Sequence, residues 1–135
     1  MRFPGIAIGL SHTISHTVSH RDTVGNFFPD DLQPMLSTPG LMALAIQASS
    51  ALVDRLLPDD FTSVGKSASV THEQPSVRGA GLTLTVTITN FDGYHITLSM
   101  VASDHSGVVG TGSLVRSIVN KQWLQLKIAR RAAEV

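Results

Sequence analysis

The stretch STPGLMALAIQASSALVDRLLPDD, residues 37–60, decides the fold. It opens with Ser and Thr, residue types that cap helix N-termini, and Pro39 follows where proline suits the first turn. Pro58 cannot continue a helix and ends the segment. Residues 41–46 are apolar around most of the helix circumference, which is typical of a helix buried on nearly every side. The sequence therefore predicts one helix of roughly five turns that a sheet encloses.

Segments on both sides of this helix have the pattern of β-strands. Residues 11–20 alternate His, Ile or Val with Ser or Thr, and β-branched residues dominate the segments after the helix. Asp92-Gly93 and Ser106-Gly107 supply turns of antiparallel hairpins. The predicted strand segments are SHTISHTVSH (11–20), SVGKSASVTHEQP (63–75), LTLTVTITNFDGYHITLSMVASD (82–104) and VVGTGSLVRSIVN (108–120). We therefore predict an α+β fold, an antiparallel sheet wrapped around one long central helix, with residues 1–135 in a single domain that ends in a helical tail.

The composition excludes several classes of function. Ten basic and ten acidic residues leave no net charge, so the chain lacks the basic surface on which nucleic-acid binding depends. The absence of cysteine excludes disulfide bonds, a thiolate nucleophile and a zinc site with sulfur ligands. Aromatic residues make up only 5% of the chain, and a small domain with so little ring area often gains buried surface by association. We therefore expect a homodimer or a larger homo-oligomer, with no nucleic-acid partner.

The N-terminal segment MRFPGIAIGLSH contains one short apolar run, residues 6–10. This run is too short to span a membrane, and it lacks the small-residue pattern of a cleavage site. We therefore expect a cytoplasmic protein that does not bind a membrane.

Three histidines, His12, His16 and His20, share one face of the first predicted strand. Neighbouring members of this set are four residues apart, which is about 13 Å at the rise of a β-strand. That separation is too large for three ligands of one metal ion. We therefore predict a structural or interface strand here and no metal site.

Four motifs follow one another along the chain. They are Thr38 at the start of the helix, Gly65 seven residues before the His of the triplet Val70–His72, the strand LTLTVT (82–87), and the segment GTGSLVR (110–116) that ends at Arg116. This order resembles the fluoroacetyl-CoA thioesterase family and its hotdog-fold relatives, over roughly residues 20–130. The resemblance implies a hotdog fold and hydrolysis of an acyl-CoA thioester. Coenzyme A would then be part of the substrate, and no further cofactor is expected.

The resemblance also implies roles for individual residues. The family hydrolyses its thioester with a Thr, a His and a Glu, and Thr38 and His72 correspond to the first two. A neutral imidazole can activate water or protonate a leaving thiolate. Gly65 would let the thioester lie against the backbone, and Arg116 offers a guanidinium fork for the CoA phosphates. The competing interpretations are a plain helix cap at Thr38, a structural histidine at position 72 and an ion pair at Arg116.

The glutamate of the family pattern has no acidic counterpart in this sequence. It falls eight residues after the threonine, on Ile46, or on Gln47 if one residue is inserted. As a candidate catalytic residue, Gln47 can hold a water molecule, but an amide cannot accept the proton that a general base must take. Asp54 lies about two turns beyond Gln47 on the same helix face and is a second candidate for the acid.

Residues 22–36 are rich in Asp, Gly, Asn and Pro, and they predict an irregular segment suited to cover a pocket. Within this segment, Phe27 and Phe28 are candidates for core or dimer contacts, or for a lid over the acyl group.

Three functions fit these observations. The first is an acyl-CoA thioesterase that acts as a homodimer, with His72 as its acid–base group and Thr38 beside it. The second is a module that binds acyl-CoA or CoA without hydrolysing it, because the glutamate is missing. The third is a hotdog hydratase or dehydratase, which needs an acid–base pair, and we expect no carboxylate near His72.

Overall fold

One long helix packs against the inner face of a five-stranded sheet. The computed structural model describes residues 2–27 and 34–135. In chain order the elements are β1 (Ser11–Thr17), α1 (Val24–Phe27), α2 (Thr38–Asp54), β2 (Phe61–His72), β3 (Gly81–Phe91), β4 (His95–Asp104), β5 (Gly107–Asn120) and α3 (Lys121–Ala133), with a 3-10 turn at His20–Asp22 between β1 and α1.

The strands are arranged in the order β1-β3-β4-β5-β2, and every neighbouring pair is antiparallel. β3, β4 and β5 form the predicted meander, and glycines with positive φ stand in its two turns, at Gly93 and Gly107. Asp92 closes the first turn, because its carboxylate accepts the backbone N–H groups of Tyr94 and His95. The predicted α+β architecture is confirmed, and β2 forms one edge of the sheet.

The core lies between α2 and the sheet. α2 contributes the buried residues Leu41, Leu44, Ala45, Ala48, Leu52 and Val53. Alternate residues of the three meander strands oppose them, since a strand presents every second side chain to one face. These buried sheet residues are Leu82, Leu84, Val86, Ile88, Ile96, Leu98, Met100, Ala102, Val109, Leu114 and Ile118.

One side of α2 remains open to solvent within the single chain. Ala43, Ile46, Gln47 and Ala51 are all exposed, and Ile46 retains 39% of its surface. The prediction that the first half of the helix is buried on nearly every side is therefore wrong for one chain. The apolar character of residues 41–46 exceeds what the sheet of the same chain covers.

β2 contains a bulge at Lys66. Gly65 is opposite Arg116 of β5 and Ser67 is opposite Val115, so Lys66 has no partner in the ladder. The bulged strand continues to His72, which lies opposite Gly110.

α3 begins at an Asn120 cap, whose side chain accepts the backbone N–H of Trp123. None of its residues is buried, and Trp123 keeps 52% of its surface. No helix within residues 2–27 and 34–135 combines the length and the apolar character needed to cross a bilayer.

The close contact of β5 with β2 requires glycine at position 112. A Cβ atom on Gly112 would overlap the backbone carbonyl oxygen of Ser69 on the neighbouring strand. Gly112→Ala should therefore lower the free energy of unfolding by about 1–3 kcal/mol, measured by urea denaturation. Gly81→Ala is the matched control, because no atom of residues 2–27 and 34–135 outside its chain neighbours lies within 4 Å of its added methyl group, and its change should stay within about 0.5 kcal/mol. Equal effects of the two substitutions would contradict the steric explanation.

Candidate active site

The fold brings Thr38 and His72 into contact. Thr38 is the first residue of α2 and His72 is the last residue of β2. The Thr38 Oγ1 atom and the His72 Nδ1 atom are 3.1 Å apart, a hydrogen-bond distance. The two side chains that correspond to the threonine and the histidine of the family pattern thus meet within one chain, 34 residues apart in sequence.

A cavity of about 210 Å³ opens beside this pair. Met35 and Leu36 line its apolar part, and Thr38, His72 and Glu73 line its polar part. A concave site with an apolar wall and a few convergent polar groups is the usual form of a small-molecule site.

The second ring nitrogen of His72, Nε2, is buried and has no hydrogen-bond partner among the described residues. Burial lowers the pKa of His72 below the ordinary value of histidine, and the nearby Gln74 backbone offsets only part of this effect. The imidazole is therefore neutral at neutral pH. With Nδ1 held by Thr38, Nε2 is the ring nitrogen that keeps free hydrogen-bonding capacity.

The start of α2 is held in place by a buried polar clamp. Ser37 is the N-cap, and its Oγ accepts the backbone N–H of Gly40 at 2.9 Å. The N–H and the hydroxyl of Ser37 both donate to the backbone carbonyl oxygen of Asp22, at 2.8 and 3.0 Å. Gly40 permits this approach, since a Cβ atom there would lie 2.5 Å from the same carbonyl oxygen. The position of Thr38 therefore depends on Asp22.

The carboxylate of Asp22 in turn fixes its own segment. It accepts the N–H and the hydroxyl of Ser19 at 2.8 and 3.0 Å, and it contacts His16 Nε2 at 2.7 Å. Burial alone would raise the pKa of Asp22, but the hydrogen bonds from Ser19 and His16 outweigh it and hold the pKa below the ordinary value. His12 contacts Arg55 instead, so these two histidines of β1 take separate partners.

A second cavity, of about 230 Å³, lies along β2. Ile46, Gly65, Ala68, Leu114 and Arg116 are among its lining residues. The structure therefore places Gly65 and Arg116 together, as cross-strand neighbours, but in a different cavity from Thr38 and His72.

The guanidinium group of Arg116 is directed into the protein. Arg116 is only 6% exposed, and it donates to the Ser63 hydroxyl, the Ser63 carbonyl and the Ser49 hydroxyl at 2.8, 3.0 and 3.4 Å. Burial lowers the pKa of Arg116, and the charge of Asp54 opposes this shift. These contacts give Arg116 a structural role that links β5, β2 and α2. Binding of CoA phosphates by Arg116 gains no support from this geometry.

Three comparisons place these features among known proteins. The family model of the fluoroacetyl-CoA-specific thioesterase matches residues 18–122. The chain belongs to this family. A hot-dog-like protein from Thermanaerovibrio acidaminovorans is 31% identical, with a TM-score of 0.88 over 94% of this chain and 93% of that chain. A search of curated protein sequences gives no match.

Two further solved structures support the hotdog fold of this chain. The fluoroacetyl-CoA thioesterase itself is 19% identical, with a TM-score of 0.83 over 93% of this chain and 96% of that chain. A hypothetical protein from Thermus thermophilus, described as a thioesterase superfamily member, is 15% identical, with a TM-score of 0.89 over 96% and 95% of the two chains. The predicted hotdog fold is confirmed.

Neither residue at the glutamate position of the fluoroacetyl-CoA-specific thioesterase pattern lies in the cavity of Thr38 and His72. Ile46 lines the second cavity, and Gln47 is exposed. Asp54 is also remote from His72. Its carboxylate accepts hydrogen bonds from Ser50 and Ser63, and Ser63 is nine residues before His72 on β2, about 30 Å away at the rise of a strand. Within one chain, Asp54 is therefore too far from His72 to supply the missing acid.

Glu73 is a carboxylate that the sequence interpretation missed. It directly follows His72 and lines the same cavity. The expectation that no carboxylate lies near His72 is therefore wrong, and so is the argument that used it against a hydratase. The sequence VTHE could have indicated this carboxylate, because Glu73 directly follows the histidine. Where a strand ends at its histidine, the next side chain is no longer held on the opposite face of the sheet.

The segment predicted to cover a pocket can be followed in part. Val24, Met35 and Leu36 line the cavity of Thr38 and His72. Phe28 and the side chain of Phe27 lie outside the part of the chain that the structure describes.

Asp22→Asn tests the clamp through its pH dependence. A carboxylate with a lowered pKa in the folded state stabilises the protein above its unfolded pKa and loses this contribution as the pH falls through the folded value. At pH 7 the substitution should lower the free energy of unfolding by about 1–3 kcal/mol, and the difference from the wild type should shrink below about pH 4. Urea denaturation at pH 7 and at several values from pH 4 down to about pH 2 measures this difference. Asp59→Asn, on an exposed residue, is the control. A difference that stays constant with pH would argue against the clamp.

Proposed function

We propose that this chain is an acyl-CoA thioesterase whose site is centred on His72 and Thr38. The observation that carries the proposal is the 3.1 Å contact between Thr38 Oγ1 and His72 Nδ1, which leaves the buried Nε2 atom of His72 without a partner beside a cavity. Membership of the fluoroacetyl-CoA-specific thioesterase family supports the choice of thioester hydrolysis as the reaction.

The contact explains how the two side chains would share the work. Thr38 fixes the plane and the hydrogen-bonding state of the imidazole, so that Nε2 keeps one direction. A neutral Nε2 atom can accept a proton from water, or donate a hydrogen bond to the substrate, according to which nitrogen carries the hydrogen. The first turn of α2 offers little further help to an oxyanion, because Pro39 has no N–H and the N–H of Gly40 is already bonded to Ser37.

The choice of an acyl-CoA substrate is supported by two related structures. A mutant of the fluoroacetyl-CoA thioesterase is known in complex with fluoroacetate and CoA, and another with acetyl-CoA. Coenzyme A is part of the substrate in this proposal, and no cofactor is needed. Gly65 has open space where its side chain would be, and Arg116 is the one residue in the described part of the chain, apart from its sequence neighbours, with an atom within 4 Å. We assign it the role of letting the thioester pass close to the backbone.

His72→Ala should lower kcat/KM for acyl-CoA hydrolysis about 100-fold or more, since a positioned acid–base group contributes this much. Thr38→Val should lower it about tenfold by releasing the ring, whereas Thr38→Ser keeps the hydroxyl and should stay near the wild type. Free-thiol release across a panel of acyl-CoA esters measures these rates, and circular dichroism checks that each variant is folded. Equal rates for the wild type and a folded His72→Ala variant would refute the assignment.

A module that binds acyl-CoA without hydrolysis is the second candidate, favoured by Ile46 at the glutamate position. Its mark is a higher melting temperature with acyl-CoA but no thiol release by the wild-type protein. An enoyl-CoA ester in the same panel distinguishes the thioesterase and the binding module from a hydratase. A hydratase would add water to the double bond and leave the thioester intact.

We further assign the active form to a homodimer that is joined along β2. β2 is an edge strand, and a second copy can pair with its free backbone groups about a two-fold axis. An axis between Ala68 and Ser69 would set Gly65 of one copy opposite His72 of the other. The two cavities would then combine, and the open side of α2 at Ile46 would gain a cover.

Sedimentation equilibrium should show a particle of twice the 14.4 kDa chain mass. Ala68→Glu places two like charges beside the proposed axis, so it should produce a folded monomer with reduced thiol release. Ala132→Glu, on the exposed helix α3, should leave the dimer intact. A wild-type monomer that hydrolyses acyl-CoA at its full rate would overturn this part of the proposal.

A further inference from the structure

The proposed hydrolysis still lacks a carboxylate that can act as the general base. Water must lose a proton as it attacks the thioester carbonyl, and the family pattern places a carboxylate for this task where the present chain has Ile46. An isoleucine side chain cannot accept a proton. Gln47 is an exposed amide and cannot act as a base either.

Most carboxylates near α2 are already committed to structural contacts. Asp54 accepts one hydrogen bond from Ser50 of α2 and two from Ser63 near the start of β2. Asp22 accepts two from Ser19 and contacts His16. A carboxylate that holds the structure through several hydrogen bonds is poorly suited to exchange protons in each turnover, because it would lose those bonds on protonation.

Glu73 differs from both. It is the one acidic residue among the described residues that line the cavity of Thr38 and His72. Its side chain has a single hydrogen bond, a long one of 3.3 Å from the Thr111 hydroxyl to Oε1, and the residue is exposed. The oxygen Oε2 has no partner among the described residues. Glu73 therefore retains acceptor capacity that the other two carboxylates have used.

The backbone fixes Glu73 beside the histidine. β2 ends at His72, and the N–H groups of Glu73 and Gln74 both donate to the carbonyl oxygen of Val109, at 2.7 and 3.1 Å. This shared acceptor bends the chain away from strand geometry. The Cα of Glu73 remains anchored to β5 next to the imidazole. Its exposed carboxylate contacts Thr111 on the face of β5 away from α2, so a rotation of the side chain brings it to the cavity in this proposal.

The geometry points to Glu73 as the general base of this site, in place of the glutamate that the family carries on the helix. This inference rests on the proposed thioesterase function. In the step it describes, Glu73 accepts a proton from the attacking water, and the water oxygen forms a bond to the carbonyl carbon. The bond from that carbon to sulfur then breaks, and the thiolate of CoA takes the proton from Glu73. The products are a carboxylic acid and free CoA. His72 lines the same cavity and keeps a second acid–base group beside these atoms.

Glu73→Gln tests this assignment with an isosteric side chain that accepts no proton. It should lower kcat for acyl-CoA hydrolysis about 100-fold or more, with KM changed less than about threefold, because a general base acts on the chemical step. Glu73→Ala should behave alike, and added formate should restore part of its activity by supplying a small carboxylate. A purely structural role of Glu73 would give no rescue by formate.

Glu134→Gln, a distant exposed residue on the last turn of the chain, is the control for loss of a negative charge and should keep the wild-type kcat. A folded Glu73→Gln variant with kcat within about threefold of the wild type would overturn the role of Glu73 while leaving the thioesterase proposal intact. Absence of thiol release by the wild-type protein would instead overturn the proposed function, and this inference with it.

Discussion

The packing of α2 against the inner face of the sheet determines where the site lies. Leu41 and Leu98 are both fully buried there, and the burial of each such side chain contributes about 1.5–3 kcal/mol. The helix cannot slide or rotate without exposing several of them. With the helix fixed, Thr38 at its first turn stays at the end of the sheet where β2 reaches His72. The apolar core thus sets the distance between the two polar side chains.

The polar groups near the helix start complete what the core begins. One residue, Asp22, uses its carbonyl oxygen to hold Ser37 and its carboxylate to hold Ser19 and His16. Buried polar groups must find partners, so each of these contacts restricts the others. Arg116 has a similar function at the other end of β2, where it joins serine groups of two elements. Both networks are structural, and they leave the cavity of Thr38 and His72 to residues with free hydrogen-bonding capacity.

The sequence was sufficient to predict the helix and the strands, because their periodicity and their turn residues are local properties. The order of motifs also led to Thr38 and His72. The burial of Arg116 and the open side of α2 at Ile46 were not predictable, since both depend on which distant segments meet. Glu73 was visible in the sequence, but its place beside His72 depends on where β2 ends, and alternation along a strand gives no end point.

The bulge at Lys66 shifts the alternation of side chains along β2 by one residue. Gly65 and His72 are seven positions apart, an odd number, so an unbroken strand would point their side chains to opposite faces of the sheet. Because Lys66 is unpaired between them, Gly65 and His72 both lie opposite residues of β5 that face α2. A strand with the same seven-residue spacing but no bulge would retain every motif in order, yet its imidazole would be directed to the outer face, away from α2. The bulge is therefore as strict a requirement for the site as the chemical identity of the two motifs.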